Sequence, residues 1–196
     1  MKLLEERIRR DGKIAPGDVL RVDSFINHQM DIALMTQLAA EFCRRFGDKP
    51  IDKVLTVEAS GIAIACLVAQ KLQVPMVFAK KSKTSNIPDS VYAATVKSYT
   101  HGNVNTVIVS REFLHAGENV LLIDDFLAQG EALAGLQELV TQAGGTVVGA
   151  GILVEKAFQP GGDRLRAQGM RVESLARVSA MSVEEGVEFL ADPWDA

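Results

Sequence analysis

The 196-residue sequence is poor in the residues that build most specialised sites. It has two cysteines, three histidines and one tryptophan, and aromatics make up only 6% of it. Two thiols neither staple a fold nor complete a four-ligand metal site. Cys43 and Cys66 both lie inside apolar helical patterns, so two buried free thiols are expected. His28, His101 and His115 form no spacing suited to a metal or a catalytic triad and read as surface or loop residues. Basic residues do not dominate: Lys plus Arg is 21 against 25 Asp plus Glu, a net charge of −4. That excludes the broad basic footprint of a general nucleic-acid binder. The longest apolar runs, Gly61 to Ala69 and Thr146 to Val154, fall far short of the ~18 residues that would suggest a membrane span. The opening MKLLEERIRRDG is too charged for a secretory signal. The expectation is a soluble, cytoplasmic protein with neither nucleic-acid nor membrane partners.

The sequence is instead rich in ordinary core material. Hydrophobic residues make up 47% and charged residues 23%, and a chain of this length buries roughly 70% of its unfolded surface. With no repeat, low-complexity tract or dividing linker, one domain over 1–196 is expected. Leu4 and Ile8 lie four apart in a short helix over Lys2 to Arg10 that Gly12 stops. Ile14 to Asn27 is irregular, with a Pro16-Gly17 turn, yet Val19, Leu20, Val22 and Phe25 make it very apolar for a linker. A second helix spans Asp31 to Phe46. Strands at Lys53 to Glu58, Pro75 to Ala79, Asn119 to Asp124 and Thr146 to Glu155 then alternate with helices at Ile62 to Leu72 and Gly130 to Gln142, with a late edge strand at Ser174 to Met181. Near-continuous apolar strands alternating with helices predict a parallel sheet covered on both faces. The segment from Lys80 to Gly117 is too long for an ordinary connection. β-type residues over Ser90 to Tyr99 and Asn105 to Ser110 flank a His101-Gly102 turn, so a hairpin projecting from the sheet is expected, serving as a lid or a partner-binding arm.

The most informative stretch is Val120 to Ala132, VLLIDDFLAQGEA. A strand ends in two carboxylates, and a short Gly-containing loop leads into a helix. Ligands of open parallel sheets bind beyond the carboxyl ends of the strands. Amides at a helix N-terminus favour a phosphate, and Asp124 and Asp125 can accept hydrogen bonds from vicinal hydroxyls. Phosphate beside diol means a phosphorylated ribose. The competing interpretation is that Asp125 caps the next helix and Asp124 is a surface strand end.

This stretch resembles the ribose-phosphate motif of the type I phosphoribosyltransferases. Glu58-Ala59-Ser60-Gly61 after the first sheet strand looks like that family's pyrophosphate loop, and Lys80-Lys81 follows the next strand, where the family often places a basic residue. Met1, Leu4 and Ile8, the segment GDVLRVDSFINHQMD from Gly17 to Asp31, the loop AQGEA and the segment ILVEKAFQPGG from Ile152 to Gly162 resemble the bacterial subgroup that acts on xanthine. The resemblance implies the family's α/β fold: a mainly parallel twisted sheet flanked by helices, with an N-terminal hood over roughly 1–35 and a projecting hairpin or flexible loop over roughly 80–117. It implies transfer of a phosphoribosyl group from phosphoribosyl pyrophosphate (PRPP), with Mg2+ held through the substrate rather than by direct protein ligands, and a homodimer. It assigns the 5-phosphate to Ala128, Gln129, Gly130, Glu131 and Ala132, and the ribose hydroxyls to Asp124 and Asp125. Pyrophosphate falls to Ala59, Ser60, Gly61, Lys80 and Lys81, and xanthine to Leu20, Asn27 and Lys156.

In this assignment Lys156 donates to the base's 6-oxygen, which selects oxopurines over adenine, and Asn27 reads the 2-oxo group. Without the resemblance, Lys156 would read as a surface lysine and Asn27 as a cap for the helix near Asp31. Phe158 is a candidate stacking ring or a core residue. Hypoxanthine–guanine relatives carry a carboxylate where Ala128 stands here. A base that binds as its own anion, steadied by Lys156, would need no protein general base. Glu131, unusual beside a phosphate, is expected to turn its side chain away. The alternatives are a guanine or hypoxanthine enzyme, or a non-catalytic purine-responsive regulator built on the same fold.

Overall fold

The computed structural model describes residues 1–17, 19–82, 89–97 and 104–195. Helix α1 (Lys2–Asp11) buries Leu4 and Ile8 and ends at Gly12, whose amide bonds the Ile8 carbonyl at 2.8 Å. The apolar segment that follows is a small two-stranded sheet, β1 (Lys13–Ala15) against β2 (Val19–Arg21), pairing Ile14 with Leu20. A π-helical turn follows over Asp23–Asn27 and buries Phe25 and Ile26. Helix α2 (Ile32–Arg45) is capped by Asp31, whose side chain accepts from the Leu34 amide at 3.1 Å. Capping here therefore belongs to Asp31 and leaves Asn27 for other work.

The main sheet begins with β3 (Lys53–Val57), α3 (Gly61–Leu72) and β4 (Met76–Ser82). The hairpin β5 (Val91–Lys97) and β6 (Val104–Ser110) leads into β7 (Asn119–Leu127). Then come α4 (Glu131–Ala143), β8 (Thr146–Lys156), α5 (Gly161–Ala167), β9 (Val172–Ser182) and β10 (Gly186–Phe189). The strand order is β10-β9-β8-β7-β3-β4-β6-β5. Pairing is parallel from β9 through β4 and antiparallel at both ends.

Both faces of the centre are covered, which is why its strands read as continuous apolar runs. Val54, Leu121 and Ile123 join one core with α1, α2 and α3, while Leu55, Val120 and Leu122 join a second core with α4 and Leu165 of α5. Helix α4 runs between two left-handed glycines, Gly130 (φ 81°) and Gly144 (φ 77°), positions at which a side chain would be strained.

Several expectations need correction. The strand expected at the edge, β9, is covered by β10. The base of the hairpin joins the sheet: β6 pairs with Lys80 to Ser82 of β4, and Gln142 of α4 bonds both the amide and the carbonyl of Ala93. Its expected His101-Gly102 turn lies outside the described residues. Cys66 is exposed and Cys43 only half-buried. Helix α3 is apolar around nearly its whole circumference, so its pattern does not say which face is inside.

Candidate active site

Strand β7 runs three residues beyond Asp124, because β8 continues to supply parallel partners as far as Leu127 opposite Glu155. Asp124 and Asp125 therefore lie within the last part of the strand. Both are buried, and the Asp125 amide donates to Asp124 Oδ1 at 3.0 Å. Neither is the surface strand end or helix cap of the competing interpretation: α4 is capped by Gly130 without a side-chain bond. Burial first, and then the neighbouring Asp125 carboxylate, push the Asp124 carboxyl well above the usual carboxylate range. Two adjacent buried acids call for hydroxyl donors or a cation.

The acids open into a cleft of about 320 Å³. Its floor and walls include Glu58, Ser60, Lys81, Asn105 and the whole loop from Ala128 to Ala132. The first amides of α4 have no partner within the helix and stand beside this cleft. The loop is backed by α5: the Gly161 amide bonds the Ala128 carbonyl at 3.1 Å, and Arg164 Nη2 bonds the Gln129 carbonyl at 2.8 Å. A Cβ on Gly161 would collide with the Ala128 carbonyl oxygen. The Glu131 carboxylate pairs with Arg164 of α5 at 2.7 Å.

The second loop, at the N-terminus of α3, approaches the acids closely. A Cβ on Gly61 would collide with Thr56 Oγ1 and Asp124 Oδ1. The Glu58–Ala59 peptide is cis. Ser60 lines the cleft, whereas Gly61 is buried behind it and Ala59 is exposed and not part of the lining. Strand alternation separates the two lysines of β4. Lys81 lines the cleft, and its amide bonds Glu58 Oε1 at 2.6 Å. Lys80 is not part of the lining; its ammonium lies 6.0 Å from the centre of the Phe78 ring.

A second pocket abuts the first, lined by Leu20, Asn27 and Lys156 together with Val19, Arg21, Asp23, Phe126 and Ala128. Phe126 and Ala128 line both pockets. The three residues expected to contact a base thus converge from β2, the π-helical turn and the end of β8. Asn27 Oδ1 is buried with no protein partner, an acceptor available for a ring N–H. Phe158 is exposed and lines neither pocket. Phe126 is a ring that lines both pockets, and the pattern VLLIDDF carried it in plain view directly after the acids. Asn105 of β6 gave no such signal; only the hairpin's pairing to β4 brings it in. Among the described residues no group of three or more His, Cys, Asp or Glu is placed to hold a metal ion. A divalent cation is compatible with the acid pair if most of its ligands come from a bound molecule.

A buried acid pair, an amide loop at the carboxyl edge of a parallel sheet and a second pocket abutting the first define a class, and sequence comparison gives the same one. The model described as "Phosphoribosyl transferase domain" matches residues 22–171, and the chain belongs to that family. It is 52% identical over 193 residues to a protein of Lachnoclostridium phytofermentans named xanthine phosphoribosyltransferase, covering 98% of this chain and 100% of that one. A protein of the same name from Bifidobacterium adolescentis is 53% identical over 191 residues, covering 96% and 99%. Among solved structures, an adenine phosphoribosyltransferase from Rhodothermus marinus matches with a TM-score of 0.72 at 23% identity, over 89% of this chain and 97% of that one. That last likeness is one of fold.

Proposed function

We propose that the protein is a xanthine phosphoribosyltransferase of purine salvage, moving the 5-phosphoribosyl group of PRPP to N9 of xanthine and releasing xanthosine 5′-monophosphate and pyrophosphate. The observation that carries this reading is the pair of abutting pockets joined at Phe126 and Ala128. One offers acids and an amide loop for a ribose phosphate, and the other offers Leu20, Asn27 and Lys156 for a base. The high identity to relatives of that name supports the choice of xanthine.

The division of labour follows from the chemistry of each group. The amides of 128–132 hold the 5-phosphate, and Asp124 and Asp125 accept from the ribose hydroxyls. The loop around Ala59, Ser60 and Gly61, with Lys81 rather than Lys80, receives pyrophosphate. Asp124 and Asp125 would face a Mg2+ brought in with PRPP, which would supply neutralisation of charge on the leaving group. As the bond to pyrophosphate weakens, positive charge grows at the anomeric carbon, and the buried acids beside it are placed to favour that charge. Lys156 donates to the 6-oxygen of the base. The loop position of Ala128 has no carboxylate to accept a purine proton, consistent with a base that binds as its anion.

We also read the chain as one domain over 1–196, with a hood over roughly 1–35 and a substrate-covering segment within roughly 80–117. It acts as a cytoplasmic homodimer, for which light scattering should return about twice 21.2 kDa. No helix among the described residues is long and apolar enough to cross a membrane.

The test is turnover of xanthine, guanine, hypoxanthine and adenine at fixed PRPP and Mg2+. Xanthine is expected to be fastest and adenine negligible. Lys156→Ala should lose at least tenfold in kcat/KM with every oxopurine, the scale of one charge-assisted hydrogen bond. Faster turnover of guanine or hypoxanthine would reassign the base. Absence of pyrophosphate release with any base would make the protein a sensor.

A further inference from the structure

We infer that Arg164, which lines neither pocket, is a positioning residue that sets the affinity for the ribose 5-phosphate group by orienting the loop and masking Glu131. The inference rests on the proposed function and extends it to a residue on a different element.

The argument begins with the peptide plane. In a trans peptide the carbonyl and the following N–H point in opposite directions. Two successive carbonyls of the loop are tied to α5: Ala128 O by the Gly161 amide, and Gln129 O by Arg164 Nη2. Their partner amides, on Gln129 and Gly130, therefore face away from α5, towards the cleft that the same residues line. The first tie is main chain to main chain and survives any substitution that keeps the backbone in place. The second depends on one side chain.

That guanidinium nitrogen has a second acceptor, Glu131 Oε1 at 2.7 Å. A carboxylate at the first residue of α4 suits the helix dipole but opposes a phosphate seated on the same amides. Pairing with Arg164 draws the charge to the α5 side and offsets it. An exposed ion pair contributes little to stability, and this arginine is 42% exposed, so it need not be explained as a fold-stabilising contact. Its two bonds converge on the loop alone. The expected consequence is selective: the loop loses its alignment and its charge mask, while the base pocket and the acid pair stay where they are.

The experiment compares wild type, Arg164→Ala and the double variant Arg164→Ala/Glu131→Gln in KM for PRPP, KM for xanthine, kcat and Tm. Arg164→Ala should raise KM for PRPP about tenfold, the scale of a hydrogen bond from a charged donor. Saturated kcat should stay within about twofold, with xanthine KM and Tm near wild type. Adding Glu131→Gln should recover about threefold, because the unmasked charge is then gone. An unchanged KM for PRPP overturns the inference. So does a parallel change in xanthine KM, kcat and Tm, which would mark a general structural role. A double variant that binds PRPP no better than the single one overturns the charge-masking half. Should Arg164→Ala prove unstable, Arg164→Gln, which keeps a neutral donor, carries the same comparison. Calorimetric affinity for ribose 5-phosphate in wild type and Arg164→Ala keeps the two readings apart. A tenfold loss there supports the role of Arg164 even if no base is turned over, whereas equal affinities overturn it even if xanthine is a good substrate.

Discussion

Two buried carboxylates with opposite surroundings show what single residues contribute. Glu155 is 1% exposed, and burial alone would raise its pKa. Both Arg166 nitrogens at 2.7 Å, the Ser174 hydroxyl at 2.6 Å and Arg177 at 3.2 Å outweigh that and hold it below the ordinary range. Its contribution to stability is therefore complete above the unfolded carboxylate pKa and is lost as pH falls through the lower folded value. Glu155→Ala should cost about 3 kcal/mol at pH 7, since it strands the facing arginine, and the deficit should shrink below about pH 4 in denaturant titrations. Asp124 behaves in the opposite way. Its folded pKa is raised by burial and by Asp125, so the folded state binds the extra proton and stability falls as pH rises past the unfolded value. Asp124→Asn should raise Tm at pH 7 to 8, with the gain fading towards the unfolded carboxylate pKa near 4, while turnover drops at least tenfold through loss of a diol acceptor. A lower Tm at pH 7 would mean that the acid has a stabilising partner after all. The two acids at the end of a strand were legible from the chain itself, whereas Lys156 and Asn27 were singled out only by the family resemblance, and they line one pocket. Phe158 was singled out and Phe126 was not, because a ring's chemistry is the same in both places, and only packing shows that Phe126 lines the pockets and Phe158 does not.

The elements divide along similar lines. The strands of the sheet centre and helices α1 to α4 are legible because each buries a periodic face or a continuous run. Helix α5 and strand β10 are not, since GGDRLRA has no helix-forming pattern and β10 is only four residues long. Tertiary contact decides both. Gly161 and Gly162 let α5 press against the loop backbone and Glu155, where any Cβ would collide, and β9 supplies the partner for β10. The hairpin was legible as a hairpin, but its pairing to β4 depends on long-range register that local sequence does not encode. Gly61 tests how closely α3 must approach the acids. Gly61→Ala places a methyl against Thr56 Oγ1 and Asp124 Oδ1, both buried, and overpacking of this kind costs about 1–3 kcal/mol. The loop over 58–61, to which pyrophosphate is assigned in the proposed function, should move with the helix. The expected result is a lower denaturation midpoint together with a fall in kcat of at least tenfold. Wild-type kinetics in a soluble Gly61→Ala protein would show that the close approach is dispensable.

At the scale of the whole molecule, the net charge of −4 opposes a polyanionic substrate, so the proposed function assigns attraction to the local amides and Lys81 of the cleft rather than to the global field. The site is also a whole-molecule object. Leu20, Ser60, Asp124 and Lys156 are far apart in sequence and meet only because one eight-stranded sheet carries a core on each face. Unfolding either core disperses the pockets, so a ligand of the cleft binds the folded chain alone and must stabilise it by mass action. At one hundred times its Kd, PRPP with Mg2+ should contribute about 2.7 kcal/mol. For a domain of this size, 1 kcal/mol moves Tm by about 2–4 °C, so the expected shift is about 5–10 °C in one cooperative transition. Xanthine alone should shift Tm less, since its pocket opens onto the cleft that the ribose phosphate fills. A scan with two separate transitions would divide the chain into independently folding parts. A Tm unmoved by PRPP that calorimetry shows to be bound would mean that the ligand sits on a surface present in the unfolded chain too, which the assembled cleft excludes.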